Sequence, residues 1–558
     1  MRRAIVLTTA LIVVAALAPM ARTSDFVQAI VRVKVTTPAQ GSFINATFDE
    51  THVYDPGYVH ILLWPGDEAR LNQLGFEYEV VVPDVYARDK RALEEAEETA
   101  AVVSLPGPDR TDYRRLVDYN TEMEELAQKH PSLVRRFKLP LQSLEGRDVF
   151  GIEIAADVKQ KVNDGRPTFY VDGIHHAREW PAAEYPMIFA HYLVEGFGKN
   201  PEITRLLKNE RVVIVPIVNV DGFNYSREFL LGAQANLDAA HGAGCGLAHC
   251  GAYWRKNRRS YTGITAPVVQ LNPDAYGVDP NRNYSYHWGG GGSNSGVPIA
   301  GTYVPHPTGD NTNRGSAPFS EPETVNVQRL ILKDNVTSIV TNHTYSRLVL
   351  RPWGDTYKHA PDEKYLFDLG AKMSKAMGGY QNIKGIQLYI TTGTMSEWGY
   401  GVLGVPSYTF EHGLAFHPPY TGCEADCVGE EWRGVMTALM HGAKAGLELA
   451  LHGLVKGEVV DSKGNPVPAK LTITKKVPTP LAPENPLGEK SYTERIKTSL
   501  AVDGPFSWHL PASTRPVMVE AGKTDSYTLT LTAPGLGQKT LTFVLRKGQT
   551  LDLGKIEL

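Results

Sequence analysis

The spacing of apolar and polar residues changes twice along the chain and divides it into three regions. The first, residues 26 to about 90, alternates short apolar runs with polar turns, a pattern typical of strands. Its strand-like runs are Val27–Val35, Val59–Leu63 and Tyr78–Val82, with a helical or turn stretch at Asp67–Leu74. The mixed charges of Arg88–Val103 predict a solvated helix, and Pro106-Gly107-Pro108-Asp109 predicts a boundary after it.

The second region, from Tyr113 to about Leu451, alternates helical spacing with short runs of β-branched residues. The helical spacing covers Tyr113–His130 and Pro181–Gly196, and the apolar runs are Val149–Ala155, Thr168–Ile174 and Arg211–Val218. Strands buried on both faces and separated by helices predict an α/β domain with a mixed, mostly parallel sheet covered by helices. In such sheets, binding groups gather where the strands end.

The third region begins at about Gly453, where helical spacing stops and short strands recur. The predicted strands are Gly457–Asp461, Lys470–Thr474, Phe506–Leu510, Pro516–Ala521, Tyr527–Leu531 and Lys539–Leu545. This regular recurrence predicts a small β-sandwich. We therefore expect a signal peptide at 1–24, a small α+β domain at 25–105, the α/β domain at 106–452 and the sandwich at 453–558.

The N-terminus has the pattern of a secretory signal. Met1-Arg2-Arg3 is basic, and Ala4–Met20 is apolar apart from two threonines. A membrane anchor is the alternative, because the stretch approaches the length that spans a bilayer. No later segment is as apolar, so we expect a secreted, extracellular protein that is free of the membrane once the signal is removed.

Composition and charge exclude several classes of protein. Apolar residues make up 42% of 558, which argues against a disordered chain. The 57 Lys and Arg nearly balance 61 Asp and Glu, giving a formal charge of −4. So weak a balance gives no reason to expect nucleic acid or an anionic membrane as a partner. We expect a monomer.

The four cysteines form two close pairs, Cys245 with Cys250 and Cys423 with Cys427. In an oxidising compartment an even number suggests two disulfides. We favour neighbour pairing, although three connectivities are possible. A zinc site is the alternative, but the nearby histidines lack a finger-like spacing.

The candidate chemistry lies directly after the apolar strands. His176 and Glu179 follow the run at Thr168, three residues apart, a spacing that can place both on one metal ion. Catalytic zinc needs three protein ligands and an open position. His343 ends another apolar run and is the best third ligand, while Glu411 ends a further one and can serve as a base. Each of these residues taken singly also fits a structural role, as a hydrogen-bonded histidine or an ion-paired carboxylate.

Together these residues and their neighbours resemble the zinc metallocarboxypeptidases of the pancreatic carboxypeptidase A type, the M14 peptidase family. The shared motifs stand in the family's order: His176-x-x-Glu179, Val218-Asn219-Val220-Asp221-Gly222-Phe223, Trp254-Arg255-Lys256-Asn257-Arg258, Asp279-Pro280-Asn281-Arg282-Asn283, His343-Thr344-Tyr345, Tyr389 nine residues before Trp398, and Phe410-Glu411. The resemblance runs from about Tyr113 to Leu451. Seven short motifs in one order are very improbable by chance.

The resemblance implies a role for each matching position. It assigns one Zn²⁺ to His176, Glu179 and His343, with Glu411 as the general base that activates the attacking water. Arg258 matches the arginine that polarises the scissile carbonyl. The remaining matches are Asn281 and Arg282 for the substrate's terminal carboxylate, Tyr389 closing over it, Asp279 orienting the first histidine, and Arg178 lining the adjoining subsite. The implied activity is removal of C-terminal residues from peptides and proteins.

The sequence departs from the family pattern around the pocket for the terminal side chain. Ser396 stands where A-type enzymes have isoleucine and B-type enzymes have aspartate, so we expect a preference for neutral or apolar C-terminal residues. Lys384 and Glu397 are further residues that could reach this pocket.

The flanking regions carry weaker resemblances. Residues 26 to about 100 resemble the activation segment of secreted carboxypeptidases, which predicts a zymogen activated by cleavage between about Arg88 and Arg114. A permanent N-terminal domain is the alternative. The third region resembles the transthyretin-like domain that follows some carboxypeptidases.

Two other functions fit the same residues. A relative on this scaffold could trim cell-wall peptides or deacylate an amino acid, and a secreted binding protein could retain the fold without catalysis. The presence of all three ligand candidates and Glu411 argues against the binding protein.

Overall fold

The computed structural model describes residues 27–64, 66–99, 105–158, 164–229, 250–259, 277–291, 312–422 and 427–558. Within these residues, the buried apolar side chains form three clusters, and the largest, built mainly from the second region, also includes side chains of the first and third regions. The predicted signal peptide and two of the four cysteines, Cys245 and Cys423, lie outside the described residues. No cysteine within them is a free thiol. None of the described helices is long and apolar enough to cross a membrane.

The N-terminal region is a four-stranded sheet with helices packed beside it. Its elements are β1 (Ile30–Lys34), α1 (Pro38–Thr47), β2 (Asp49–Glu50), β3 (Tyr58–Leu62), α2 (Asp67–Leu74), β4 (Tyr78–Val82) and α3 (Val85–Thr99). The strands run antiparallel in the order β2-β3-β1-β4. The three predicted strands and both helical stretches are present, while α1 was not predicted.

The central region is built on an eight-stranded mixed sheet in the order β11-β10-β12-β9-β7-β8-β6-β5. The strands are β5 (Val134–Lys138), β6 (Phe150–Ile154), β7 (Thr168–Gly173), β8 (Arg211–Val215), β9 (Val336–Thr344), β10 (Leu348–Arg351), β11 (Gln381–Lys384) and β12 (Ser407–His412). The four central strands are mutually parallel. This sheet confirms the predicted fold class, since β7, β9 and β12 are buried along their whole lengths.

Helices cover both faces of this sheet. They are α4 (Leu116–Lys129), α5 (Pro181–Gly196), α6 (Pro201–Asn209), α7 (Val220–Phe229), α8 (Pro322–Asp334), α9 (Glu363–Ala376), α10 (Gly385–Leu388), α11 (Met395–Gly401) and α12 (Val428–Leu447). Two short 3-10 turns are present, Cys250–Tyr253 and Pro280–Arg282, and the second carries residues of the site described below. Helix α5 begins with Pro181, and proline suits the first turn of a helix because the N–H that it lacks has no partner within the helix there. The residues between the end of β7 and Pro181 therefore form a loop.

The C-terminal region contains two sheets that share one hydrophobic core. Three strands are ordered β16-β13-β19 and four β15-β14-β17-β18. The elements are β13 (His452–Val460), β14 (Pro468–Pro480), β15 (Ser491–Asp503), β16 (Pro505–Pro511), α13 (Pro516–Glu520), β17 (Tyr527–Ala533), β18 (Gly537–Phe543) and β19 (Thr550–Glu557).

One strand prediction in this region is wrong. Residues 516–521, predicted as a strand, form helix α13. Pro516 stands at the first turn, where its fixed φ favours a helix, and the apolar residues Val517 and Met518 then face inward on one side of a single turn. Apolar runs this short do not distinguish a strand from a helix.

Candidate active site

The parallel register of the central strands brings the predicted metal ligands and the predicted base together. Glu411 on β12 is the register partner of His343 on β9. On the other side of β9, Gly173 at the end of β7 pairs with Asn342, so the loop that follows β7 begins beside His343. That loop holds His176 and Glu179. All four side chains are at least 97% buried.

The donor atoms of the three predicted ligands converge on one point. The Nδ1 atom of His176 lies 2.6 Å from Oε1 of Glu179 and 3.1 Å from Nδ1 of His343. The Nδ1 atom of His343 lies 2.9 Å from Oε2 of Glu179. Atoms this close can be bound by a single ion.

The chemistry of this donor set fits zinc. Two imidazole nitrogens and a carboxylate are a common ligand set of catalytic zinc. Burial, reinforced by the charge of Arg255, lowers the pKa of His176 to about 4 and that of His343 to about 3. Both rings are therefore neutral near pH 7 and offer a lone pair. Since a ring nitrogen that carries no proton can bind a metal, the site suits a divalent cation.

A buried carboxylate supports the first histidine from behind. The Nε2 atom of His176 lies 3.2 Å from Oδ1 of Asp279, which fixes the ring so that Nδ1 faces Glu179. Asp279 also accepts hydrogen bonds from Nε and Nη2 of Arg255, at 3.1 and 2.9 Å. Burial alone would raise the pKa of Asp279, but Arg255, His176 and Arg282 hold it well below its usual range. It is therefore an anion.

The guanidinium of Arg258, which the resemblance assigns to the scissile carbonyl, packs against aromatic side chains. It stacks on the rings of Tyr225 and Trp254, 4.0 and 5.1 Å from their centres, and its Nε lies 3.5 Å from Glu145. Arg255, three residues earlier, points into the site instead. The motif contains two arginines, and spacing alone does not tell which one faces inward.

The residues predicted to bind a terminal carboxylate lie beside the ligand cluster. The amide oxygen of Asn281 accepts a hydrogen bond of 2.9 Å from the backbone N–H of Met395, which ties it to the start of α11. The guanidinium of Arg282 donates to the carbonyl of Asn281 at 3.0 Å and lies 6.0 Å from the ring centre of Tyr389. All three line one pocket together with His176 and Glu411.

The far end of this pocket is formed by small polar and apolar side chains. Ser396 lines it, and its hydroxyl accepts a 3.2 Å hydrogen bond from Thr409. Glu397 also lines it, hydrogen-bonded to the N–H of Gly354 and at 2.8 Å to Thr394, and burial raises its pKa. Lys384 does not reach the pocket, because its ammonium donates to the carbonyls of Tyr357 and Lys358 at 3.2 and 3.1 Å.

Sequence reasoning missed a segment of the N-terminal region that enters the site. Asp49 on β2 forms a fully buried pair with Arg178, with Nη1–Oδ2 and Nη2–Oδ1 distances of 2.5 and 2.7 Å. His52 follows with a positive φ of 64° and is 1% exposed. The only signal in the sequence was the short polar stretch Asp49-Glu50-Thr51-His52.

The ring of His52 stands over the ligand cluster. Its Nδ1 lies 3.4 Å from Oε2 of Glu411 and 3.9 Å from Oε1 of Glu179, while Nη1 of Arg255 lies 2.9 Å from its Nε2. Donor atoms of His52, His176 and Glu179 all lie within 4.8 Å of one another. Because Arg255 can only donate, Nε2 accepts and the proton of the neutral ring is on Nδ1, facing Glu411.

The fold places a set of possible metal ligands beside a pocket, and comparisons with known proteins identify the family of the chain. The sequence profile "Zinc carboxypeptidase", Peptidase M14, matches residues 119–423, just over half of the chain. The chain therefore belongs to the zinc carboxypeptidase family, whose members use one zinc ion.

Two relatives illustrate the likeness. A zinc carboxypeptidase of Saccharothrix mutabilis subsp. capreolus is 30% identical over 307 residues, 54% of this chain and 62% of the relative, so the chain spans less than two thirds of that protein. Carboxypeptidase A4 of Mus musculus is 26% identical over 348 residues, 61% of this chain and 72% of the relative.

Solved structures support the fold. Carboxypeptidase A from Helicoverpa armigera matches with a TM-score of 0.56 and 19% identity, over 75% of this chain and 97% of that one. Thrombin activatable fibrinolysis inhibitor matches with a TM-score of 0.53 and 20% identity, over 75% of this chain and 100% of the other.

Proposed function

We propose that the protein is a secreted, zinc-dependent carboxypeptidase that removes the C-terminal residue of peptides and proteins. The observation that carries the proposal is the convergence of His176, Glu179 and His343 beside Glu411, in the same pocket as Arg282. A metal site alone would suit many hydrolases. A guanidinium in the pocket beside it is what an exopeptidase needs, because it can bind the free carboxylate of a chain end.

His176, Glu179 and His343 would hold the zinc ion. When bound there, zinc supplies Lewis acidity that polarises the scissile carbonyl and lowers the pKa of a water. Glu411 takes the proton of the attacking water and returns it to the leaving nitrogen. Its burial, together with the charges of Glu179 and Glu50, raises its pKa well above the usual range, which strengthens it as a base.

Arg255 is our candidate for the group that stabilises the oxyanion. Its guanidinium is 98% buried, is held by two hydrogen bonds to Asp279 and has one nitrogen, Nη1, directed at the centre of the site. A fixed cation in a water-poor site is worth most where negative charge develops.

The pocket favours a neutral C-terminal residue. Ser396 and Thr409 offer hydroxyl groups, Leu350 and Leu388 offer apolar surface, and the raised pKa of Glu397 opposes a negative charge there. Glu397 therefore does not offer an ionised carboxylate to a basic side chain at the C-terminus of the substrate.

The N-terminal region makes the uncleaved chain latent. Asp49 and His52 fill the site from the outside, with Asp49 on Arg178 and His52 against Glu411. Both contacts leave no room for a substrate at the reacting centre. Helix α3 exposes Lys90 and Arg91, which lie within the segment where cleavage is expected. Neighbour-paired disulfides, Cys245–Cys250 and Cys423–Cys427, suit a protein exported in this form.

The test is mass spectrometry of peptides incubated with the full chain before and after trypsin treatment. Each peptide is supplied with a free and an amidated C-terminus, with and without a zinc chelator. We expect stepwise loss of C-terminal residues from the free acids only, after trypsin only, and none with chelator. Internal cleavage of both peptide forms would refute the proposal that Arg282 binds the free carboxylate of a chain end. Equal activity before and after trypsin would refute the proposal that the uncleaved chain is latent.

A further inference from the structure

The two longest strands of the C-terminal region extend beyond their own domain. β14 and β15 pair over their full thirteen residues, from Pro468 opposite Asp503 to Pro480 opposite Ser491. The neighbouring strand β17 pairs only with Lys470–Thr474. The remaining part of the hairpin, with its loop at 481–490, therefore projects about 20 Å past the edge of the sheet. We call residues 475–496 the hairpin arm.

The hairpin arm packs against the α/β domain. Val477 and Ile496 are buried in the hydrophobic core of that domain, whereas Leu471 and Leu500, nearer the base of the hairpin, belong to the core of the C-terminal sheets. The main chain is bound as well. The N–H of His287 donates to the carbonyl of Pro480 at 3.0 Å, and the N–H of Ala482 donates to the carbonyl of Trp288 at 3.2 Å.

A carboxylate at the centre of this contact is completely buried. Glu494 is 0% exposed and accepts three hydrogen bonds, all from the α/β domain. The donors are Oγ of Ser285 at 2.7 Å, Nε1 of Trp398 at 2.9 Å and Nε2 of Gln328 at 2.7 Å. A buried carboxyl group is retained only when its hydrogen bonds are satisfied, and here both oxygens of Glu494 have a donor.

Two of these donors belong to the segments that build the substrate pocket. Ser285 lies three residues after Arg282, and Trp398 lies on α11, two residues after Ser396. These segments are also bound to each other, through the Tyr284 N–H to the Gly393 carbonyl and the Gly393 N–H to the Tyr286 carbonyl, both at 3.0 Å. Glu494 therefore links the segment that follows Arg282 to helix α11, which carries Ser396, from behind the pocket.

We propose that Glu494 is a positioning residue for substrate recognition, through which the C-terminal domain sets the distance between Arg282 and the pocket of Ser396. This inference rests on the proposed function for its kinetic consequence. The zinc-ligand candidates lie on β7, β9 and their loops, and Glu494 touches none of them. Loss of Glu494 should therefore weaken binding of the terminal residue and leave the reacting groups in place.

The test compares Glu494→Gln with Glu489→Gln, an exposed glutamate in the loop of the same hairpin. In the trypsin-treated full chain, we expect Glu494→Gln to raise KM for a blocked dipeptide about tenfold, while kcat stays within about twofold. The glutamine has an NH₂ donor where the glutamate has a second acceptor oxygen, so at least one of the three buried hydrogen bonds is lost. Glu489→Gln should change neither KM nor kcat. Gln328→Ala removes a single donor from a half-buried position and should raise KM about threefold. It tests the same contact if Glu494→Gln does not fold.

Hydrogen exchange of the untreated full chain supplies a readout that does not depend on activity. We expect amides of 284–291 and 395–401 to exchange about tenfold faster in Glu494→Gln, with those of β9 unchanged. Unchanged exchange, or a kcat that falls in step with kcat/KM, would overturn the proposal. If the parent protein cleaves no peptide, the proposed function fails, and the exchange comparison still decides whether Glu494 holds the pocket segments.

Discussion

The buried pair between Asp49 and Arg178 allows a quantitative test of latency. Both side chains are 0% exposed, and Asp49 accepts two hydrogen bonds from the guanidinium and a third, at 2.8 Å, from Nε1 of Trp64. Breaking a buried pair by removing one charge costs about 3–5 kcal/mol, because the other charge is left desolvated. In Asp49→Asn this cost falls on the closed state alone, since Arg178 regains water when the N-terminal region moves away.

The closed state then loses about 3 kcal/mol relative to the open state, which corresponds to an increase of about a hundredfold in the open population. We expect the uncleaved Asp49→Asn chain to hydrolyse a blocked dipeptide about a hundred times faster than the uncleaved parent. After trypsin treatment the two should be equal, because the catalytic residues are untouched.

Glu79→Gln is the matched control. Glu79 lies in the same domain and pairs with Arg32, but it is 60% exposed and far along the sheet from Asp49. Its substitution should leave the activity of the uncleaved chain unchanged. Equal activity of uncleaved Asp49→Asn and uncleaved parent, with both chains folded, would refute the reasoning that this pair maintains latency.

Four further outcomes are expected. Arg255→Lys should lower kcat/KM by about 10²–10³ through loss of oxyanion stabilisation, whereas Arg258→Lys should lower it less than about threefold; the opposite ranking would restore Arg258 to the catalytic role. Chelation should abolish peptide hydrolysis and lower the melting temperature, and added zinc should restore both; a melting temperature that does not respond would argue against a bound ion. Ser396→Asp should shift preference toward C-terminal lysine and arginine in a peptide mixture, and an unchanged profile would count against this pocket assignment. Burial raises the pKa of Glu122, but hydrogen bonding to His191 and the charge of Arg114 outweigh it and lower the pKa to about 2. Its ionised form thus stabilises the fold above pH 4.5, and the difference in urea midpoint between parent and Glu122→Gln should shrink as pH falls from 4.5 toward 2; a constant difference would contradict the sign.

Much of the fold was predictable because its main elements are long or strongly apolar. β7, α5 and the strand at Glu411 agree with the sequence patterns to within about two residues. Helix α1 was missed, since its sequence Pro38–Thr47 has only weak amphipathic spacing. Short apolar runs were ambiguous, and 516–521 was assigned to the wrong class for that reason.

The candidate site was predictable where histidine and glutamate follow apolar strands. His176, Glu179, His343 and Glu411 each end a strand or follow one, and the structure brings them together. Arg255 and Arg258 share a motif, and only the folded backbone shows which one faces inward. The contacts of Asp49 with Arg178 and of Glu494 with Trp398 join residues 129 and 96 positions apart across domains, and no local pattern encodes such distances.

The pairing of His343 with Glu411 across β9 and β12 has a consequence for how enzymes on this scaffold can diverge. The strands that carry His343 and Glu411 are neighbours in the sheet, about 4.8 Å apart, and this spacing is fixed by backbone hydrogen bonds common to every sequence that folds this way. Surrounding loops can lengthen, shorten or change composition without altering that spacing. The rim of the cleft can therefore change during evolution, while the sheet itself keeps His343 aligned with Glu411.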